Sequence, residues 1–113
     1  MRNKTNKKRK PSVKKLTISV LGIPHKVIIQ QFSDSNKDFT AFGETDISTG
    51  EIFINSIHPA DRQIKTLVHE ILEVINEHLE IGLSHNKITQ LETGLYTSLD
   101  GIGKFIQFVD HSE

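Results

Sequence analysis

The sequence predicts an α+β domain in which a small antiparallel sheet of two hairpins precedes an antiparallel pair of helices. Between residues 16 and 55, short runs alternate apolar and polar side chains, which is the period of β-strands. Between residues 61 and 99, apolar side chains recur every three or four positions, which is the period of amphipathic helices. Strands that all precede the helices are typical of the α+β class.

The strand region divides into two predicted hairpins. Residues 16–21 and 26–32 flank Gly22, which can supply the unusual backbone angles of a tight turn. A polar loop is expected over residues 33–40. Beyond it, residues 41–47 and 51–55 form a second pair of strands around a Ser-Thr-Gly turn.

The helical region has recognisable start and stop signals. Asp61 is a good N-cap for the first helix, Gly82 is expected to end it, and Ser84 can cap the second. The connection is short, so the two helices should be antiparallel neighbours. We expect the glycines of residues 100–103 to end the second helix, and residues 104–109 to add a terminal strand.

Length and composition restrict the class of protein. The 113 residues suffice for one small domain, which we place at residues 15–110. The chain has no cysteine, so disulfides and thiolate metal sites are excluded and any metal ligands must be His, Asp or Glu. No apolar run approaches the roughly 20 residues of a membrane span, and no signal-peptide pattern is present. We therefore expect a cytoplasmic protein without membrane contact.

The first fifteen residues carry a strong positive charge. They hold eight Lys and Arg and no acid, whereas the rest of the chain holds six basic and fourteen acidic side chains. Residues 1–14 are expected to be a disordered tail, because they lack apolar periodicity. Three interpretations remain: a solvated tail, a tail that folds back on the acidic body, or a sequence-independent nucleic-acid contact through residues 2–15.

The first helix carries the run His69-Glu70-Ile71-Leu72-Glu73. His69 and Glu73 are four residues apart, so both side chains leave the same face of the helix and can bind one metal ion. Glu70 is displaced by ~100° around the helix, where a carboxylate can act as general base toward an activated water. A glutamate-rich face is equally typical of a solvated helix surface.

The second helix places His85, Glu92 and Tyr96 on one narrow stripe beside its apolar face. Either His85 or Glu92 can complete a three-ligand site, and the other then orients a histidine ligand. Tyr96 can donate a hydrogen bond to an oxyanion, or simply pack at the helix seam. His25, His58 and His111 are expected at the surface, and His78 on the apolar side of the first helix.

The strand at residues 51–55, the run Thr66-Leu67-Val68-His69-Glu70-Ile71-Leu72 and the later Gly94-Leu95-Tyr96 together resemble small phage and prophage proteins related to the ImmA/IrrE zinc metallopeptidases. The resemblance covers roughly residues 16–99. It implies a minimal zincin-like fold, a zinc ligand at His69 and a catalytic base at Glu70. It also implies that residues 51–55 are an edge strand able to pair with an extended peptide. The second histidine of the usual HExxH pattern is Glu73 here, so the chain is an HExxE variant.

Three functions follow as hypotheses. The first is a zinc metallopeptidase-like protein that cleaves or binds a regulatory protein. The second is a catalytically inactive phage-type protein that binds a host or phage protein, or nucleic acid through its basic tail. In the third, the His and Glu side chains are a hydrogen-bonded network that only stabilises the helix pair.

Overall fold

The computed structural model describes residues 12–111, which form four strands, a short 3-10 helix (Phe32–Asp34) and two long helices. The α+β prediction is confirmed. The predicted basic tail lies, for residues 1–11, outside the described residues. The strands are β1 (Lys14–Val20), β2 (Ile23–Gln30), β3 (Gly43–Asp46) and β4 (Glu51–Asn55), and the helices are α1 (Ala60–Leu79) and α2 (His85–Asp110).

The sheet is mixed, so the prediction of a purely antiparallel sheet is wrong. Both hairpins form as expected, β1 with β2 and β3 with β4. The strand order is β1-β2-β4-β3, and β2 and β4 run parallel, with Val27 beside Ile52 and Ile29 beside Ile54. The loop after β2 carries the chain past the position of β4, so the more apolar β4 lies inside the sheet and the polar β3 at its edge. The expectation that residues 51–55 form the edge strand is therefore also wrong.

The hydrophobic core lies between one face of the sheet and α1. Val27, Ile52 and Ile54 from the two central strands are buried against Val74 of α1, and Val20 closes the end of β1. These side chains lie on the same face because alternate residues of a strand point to the same side. This packing of Val74 against the sheet determines which side of α1 faces the sheet and which side faces away from it.

A buried asparagine ties the long loop to the end of β4. The Oδ1 atom of Asn55 accepts hydrogen bonds from the N–H groups of Phe32 and Ile57, and its Nδ2 atom donates to the carbonyl oxygens of Phe39 and Ala41. A buried amide is stable only when its donors and acceptors are paired. Asn55 therefore holds the loop that delivers the chain to β3.

The two helices begin close to the predicted positions. Pro59 occupies the N-cap position of α1, so the helix starts at Ala60, one residue before the predicted cap Asp61. It ends at Leu79, after which Glu80 takes the left-handed backbone conformation with φ 52°. Ser84 caps α2 as predicted, because its hydroxyl accepts a hydrogen bond from the N–H of Lys87.

The second helix does not end at residues 100–103. It continues through Gly101 and Gly103 to Asp110, so the predicted terminal strand at residues 104–109 is wrong. Glycine inside a helix costs only about 1 kcal/mol, and the helical spacing of apolar residues continues beyond both glycines. Within residues 12–111, neither helix has a stretch long and apolar enough to span a bilayer.

Candidate metal centre

Three side chains meet at the seam between the two helices. The Nε2 atom of His69 lies 3.2 Å from Oε2 of Glu73, one turn further along α1. The same Oε2 atom lies 3.7 Å from Nδ1 of His85, the first residue of α2. The short connection after α1 brings the start of α2 beside Glu73, as an antiparallel helix pair requires. All three donor atoms lie within 4.8 Å of one another.

The spacing and chemistry of these donors suit a metal ion. A tetrahedral ion bound at about 2.0–2.2 Å has ligand atoms roughly 3.3–3.6 Å apart, which is close to both distances from Glu73. Two imidazoles and one carboxylate are a ligand set that divalent transition metals accept. The side chain of His69 is 16% exposed and that of His85 is 74% exposed. The site is therefore largely buried at His69 and open to solvent at His85. His69, Glu73 and His85 can therefore hold a metal ion.

Glu92 lies on the other side of the His69 ring. Its Oε1 atom accepts a hydrogen bond from Nδ1 of His69 at 2.7 Å, and its side chain is 7% exposed. A carboxylate can only accept, so Nδ1 carries a proton, and in the neutral imidazole Nε2 then has a lone pair available on the side of Glu73. Of the two alternatives for a third ligand, the geometry favours His85, and Glu92 takes the orienting position.

Two cations accompany the buried Glu92 carboxylate. The Nη1 atom of Arg62 and the Nζ atom of Lys65 each lie 3.9 Å from its Oε2 atom. Both come from the first turns of α1, which pass beside the middle of α2. A buried carboxylate needs such partners because removal from water disfavours its charge. The sequence pattern gave no reason to connect Arg62 or Lys65 with the site.

Glu70 lies beside the three candidate ligands but points toward the sheet. It is buried, and its Oε1 atom accepts a hydrogen bond of 2.7 Å from the hydroxyl of Thr45 on β3. Burial raises the pKa of the Glu70 carboxyl above its usual value, and the Thr45 hydrogen bond opposes that effect. A carboxylate with a raised pKa is a stronger base than an exposed one.

β3 approaches α1 closely because residue 43 is glycine. A Cβ atom at Gly43 would lie 2.6 Å from Cγ2 of Thr66 and 2.8 Å from the carbonyl oxygen of Phe53, both closer than van der Waals contact allows. The absence of a side chain lets β3 lie against the helix, so Thr45 can reach Glu70. The contribution of Thr45 was not predicted, because only the strand order places β3 there.

Two adjoining cavities open at the candidate metal centre. One has a volume of about 440 Å³ and reaches Arg62, Lys65 and Glu92. The other, of about 370 Å³, reaches Thr45 and Glu73. Both are lined by Gly43, His69, Glu70 and His85, so they form one groove that runs past the candidate ligands and along β3.

Tyr96 and the other histidines stand apart from this group. Tyr96 is partly buried one turn beyond Glu92 and lines neither cavity. The expectation that His25 is a surface residue is wrong: it is 3% exposed, and its Nδ1 atom donates to the carbonyl oxygen of Ile23 at 2.8 Å. His78, expected on the apolar side of α1, is exposed, and its ring meets the edge of His25.

The candidate site thus consists of three possible metal ligands (His69, Glu73 and His85), the Glu92 carboxylate that orients His69, and the buried Glu70 carboxylate in the adjacent groove. These residues come from both helices, and Thr45 of β3 completes the surroundings. Comparison of the chain with protein-family models, curated proteins and solved structures finds no match.

Proposed function

We propose that this protein is a small zinc-dependent metallopeptidase-like protein, in which His69, Glu73 and His85 hold the zinc ion and Glu70 is the general base. The observation that carries the proposal is the meeting of three donor atoms within 4.8 Å beside a buried glutamate in an open groove. When bound, zinc with three protein ligands supplies Lewis-acid activation of water and of a carbonyl group.

The side chains around the ion have separate tasks in this proposal. Glu92 holds the His69 ring so that Nε2 faces Glu73 and His85. Glu70 takes a proton from the attacking water and returns it to the leaving amine, which suits a carboxylate whose pKa is raised by burial. Thr45 fixes Glu70 by binding one carboxylate oxygen, so the other is free for the proton. We assign no role to Tyr96, because its side chain does not line the groove.

An extended peptide fits the groove better than a compact small molecule. β3 is an edge strand, and Gly43, Glu44 and Thr45 line the groove beside the ligands. A peptide that pairs with this edge gains main-chain hydrogen bonds and passes Glu70 and His69. The resemblance to phage proteins of the ImmA/IrrE type favours a regulatory protein as the natural substrate.

Zinc titration and peptide hydrolysis test the proposal. After chelator treatment and dialysis, the full chain should bind one Zn²⁺, and the loaded protein should cleave members of a random peptide library. Glu70→Gln should keep the zinc and lose the cleavage. Glu51→Gln, an equally conservative change on β4, should alter neither. A protein that binds no Zn²⁺ would refute the metal centre, whereas zinc binding without cleavage would refute the peptidase function alone.

The charge distribution favours a second candidate function. Residues 1–15 carry eight positive charges and the rest of the chain a net charge of −8, a polarity that a peptidase does not need. In this alternative the protein is catalytically inactive and binds nucleic acid through residues 2–15, or a protein through its acidic body. A mobility-shift assay should then show binding that weakens at least tenfold between about 50 and 200 mM salt. Removal of residues 1–11, which leaves β1 complete, should abolish it.

A further inference from the structure

The second half of α2 exposes a continuous apolar face. Six large side chains on this face are between 40% and 65% exposed, although apolar residues of this size are usually buried. α2 packs chiefly against α1, and its two buried residues, Ile88 and Glu92, both lie in its first half. We call the six residues the α2 stripe: Leu95, Leu99, Ile102, Phe105, Ile106 and Val109.

The α2 stripe has the spacing of a helix that pairs with another helix. Leu95, Ile102 and Val109 are seven residues apart, and so are Leu99 and Ile106. A seven-residue apolar repeat keeps one face in contact with a partner helix over several turns. At ~100° per residue, the stripe spans about 120° of the helix surface.

Charged side chains avoid this face. Asp100 and Lys104 lie ~160° from Ile102 on opposite sides, and they form an ion pair of 3.2 Å with each other on the far surface of the helix. The stripe itself contains no charged side chain, and Asp110 at the end of α2 lies ~80° from Ile102, just outside the stripe. An uncharged apolar face gains most when it meets another face of the same kind.

The exposed area of the stripe approaches that of a standard interface. With about 150–200 Å² for each fully exposed large side chain, the stripe contributes roughly 450–600 Å² of apolar surface. The largest apolar patch of a typical monomer is about 300–600 Å², and a standard dimer interface buries about 800 Å² per partner. Phe108, which is 69% exposed and lies next to Phe105 on the helix surface, adds apolar area and brings the patch closer to about 800 Å².

We propose that the α2 stripe pairs with the α2 stripe of a second copy of this chain, forming a two-fold symmetric dimer. Within the sequence, residues 1–11 and 112–113 contain Met1 as their single large apolar residue, so they cannot supply a matching face. A second copy supplies an uncharged face of the same area and the same seven-residue repeat. Two-fold pairing of identical faces is also the commonest form of protein association.

The dimer leaves the candidate metal centre accessible. His85 and Glu92 lie ~80–100° around α2 from Ile102, on the side that faces α1. The stripe and the groove are therefore separate surfaces of one helix. Dimer formation and zinc binding can be measured independently, so failure of one does not affect the other.

Sedimentation velocity of the full chain tests the proposal between about 1 and 200 µM, a range that covers modest self-association. The wild-type protein should change from monomer to dimer with increasing concentration. Ile102→Glu places a charge in the centre of the interface and should weaken the dimer at least a hundredfold. Gln107→Glu adds the same charge on the opposite side of α2, ~140° away, and should leave the dimer intact.

A cysteine pair provides a second measurement, since the chain contains no native cysteine. Ile102→Cys should give a disulfide-linked dimer under mild oxidation, and Gln107→Cys should not. A wild-type protein that stays monomeric up to about 200 µM with a native circular dichroism spectrum would overturn the proposal. So would open-ended aggregation, a dimer that Ile102→Glu does not weaken, or a monomer whose stripe binds phospholipid vesicles instead.

Discussion

The Nδ1 atom of His69 lies 2.7 Å from Oε1 of Glu92, across the seam between α1 and α2. This contact links the two helices, places a proton on Nδ1 of His69 and turns its Nε2 atom toward Glu73 and His85. Glu92 is kept in place by Arg62 and Lys65 from the start of α1. The geometry of the candidate metal centre thus depends on the carboxylate of Glu92, although Glu92 is not one of the three candidate ligands His69, Glu73 and His85.

Replacement of Glu92 should weaken metal binding without removing a ligand. In Glu92→Gln, the neutral amide is a poorer acceptor for Nδ1 of His69, so the ring is held less firmly. We expect Zn²⁺ affinity to fall about 10–100-fold, the usual effect of losing a partner behind a ligand. Isothermal titration calorimetry of the chelator-treated protein measures this. Asp100→Asn, on the same helix but exposed, should have no effect, and an unchanged affinity in Glu92→Gln would contradict the orienting role.

Two substitutions of Glu73 should differ in their effect on Zn²⁺ affinity. Glu73→Gln removes the anionic donor that lies 3.2 Å from His69 and 3.7 Å from His85, and we expect Zn²⁺ affinity to fall about 100-fold or more. Glu73→His keeps a metal-binding side chain at the same helical position, so affinity should stay within about tenfold of the wild type. Calorimetry with Zn²⁺ measures both. If Glu73→Gln binds as tightly as the wild type, Glu73 is not a ligand.

Glu70 should lower the stability of the metal-free protein at neutral pH. Burial raises its folded-state pKa above the ordinary glutamate value, so the folded chain holds the proton more tightly than the unfolded chain. Stability from this group is therefore present below the ordinary pKa and is lost as pH rises through the folded pKa. Glu70→Gln, which can still accept the Thr45 hydrogen bond, should melt a few degrees higher than the wild type at pH 7.

The advantage of Glu70→Gln should shrink as pH is lowered toward 4. Differential scanning calorimetry in chelator at pH 4, 5.5 and 7 follows this change. Glu51→Gln serves as the control for a loss of one negative charge. A Glu70→Gln protein that is equally stable to the wild type at every pH would show that burial imposes no cost on this carboxylate.

Asn55 should be among the most sensitive positions of the fold. Asn55→Asp replaces an amide that donates to the carbonyl oxygens of Phe39 and Ala41 with a carboxylate that repels them. We expect a loss of about 2–4 kcal/mol in the free energy of unfolding, measured by urea denaturation. Asn36→Asp, in the exposed part of the same loop, makes the same chemical change and should cost less than about 0.5 kcal/mol.

Gly43 should not tolerate a side chain. Gly43→Ala places Cβ 2.6 Å from Thr66 and 2.8 Å from the Phe53 carbonyl, so β3 must move away from α1. We expect the free energy of unfolding to fall by about 1–3 kcal/mol. Gly103→Ala in α2, where nothing lies within 4 Å, should instead be neutral or stabilise by up to about 1 kcal/mol. Equal urea midpoints for the two variants would contradict the close approach of β3.

The local pattern of the sequence was enough to predict most elements. Alternation over residues 16–55 predicted four strands and two hairpins, because each hairpin turn is decided by a few neighbouring residues such as Gly22. Helical spacing predicted α1 and placed His69 one turn from Glu73, because a helix fixes that relation locally. The N-cap at Ser84 followed for the same reason.

The errors arose where distant segments compete for one position. Whether β3 or β4 pairs with β2 is decided by which strand buries more apolar surface, and Ile52 and Ile54 place β4 inside. Whether α2 ends at Gly101 depends on the sum of contributions along the helix, which exceeds the local cost of two glycines. Neither the strand order nor the end of α2 can be predicted from a short window of sequence, because both depend on residues outside that window.

The sequence by itself therefore determined most of the elements and the helical face that carries His69 and Glu73. The tertiary structure alone decided that His85 joins this pair, that Glu92 holds His69 from behind, and that Thr45 of β3 binds Glu70. The physical reason is that spacing along one helix is fixed by covalent geometry. Contacts between elements depend instead on how apolar surface is divided among all the strands and helices at once.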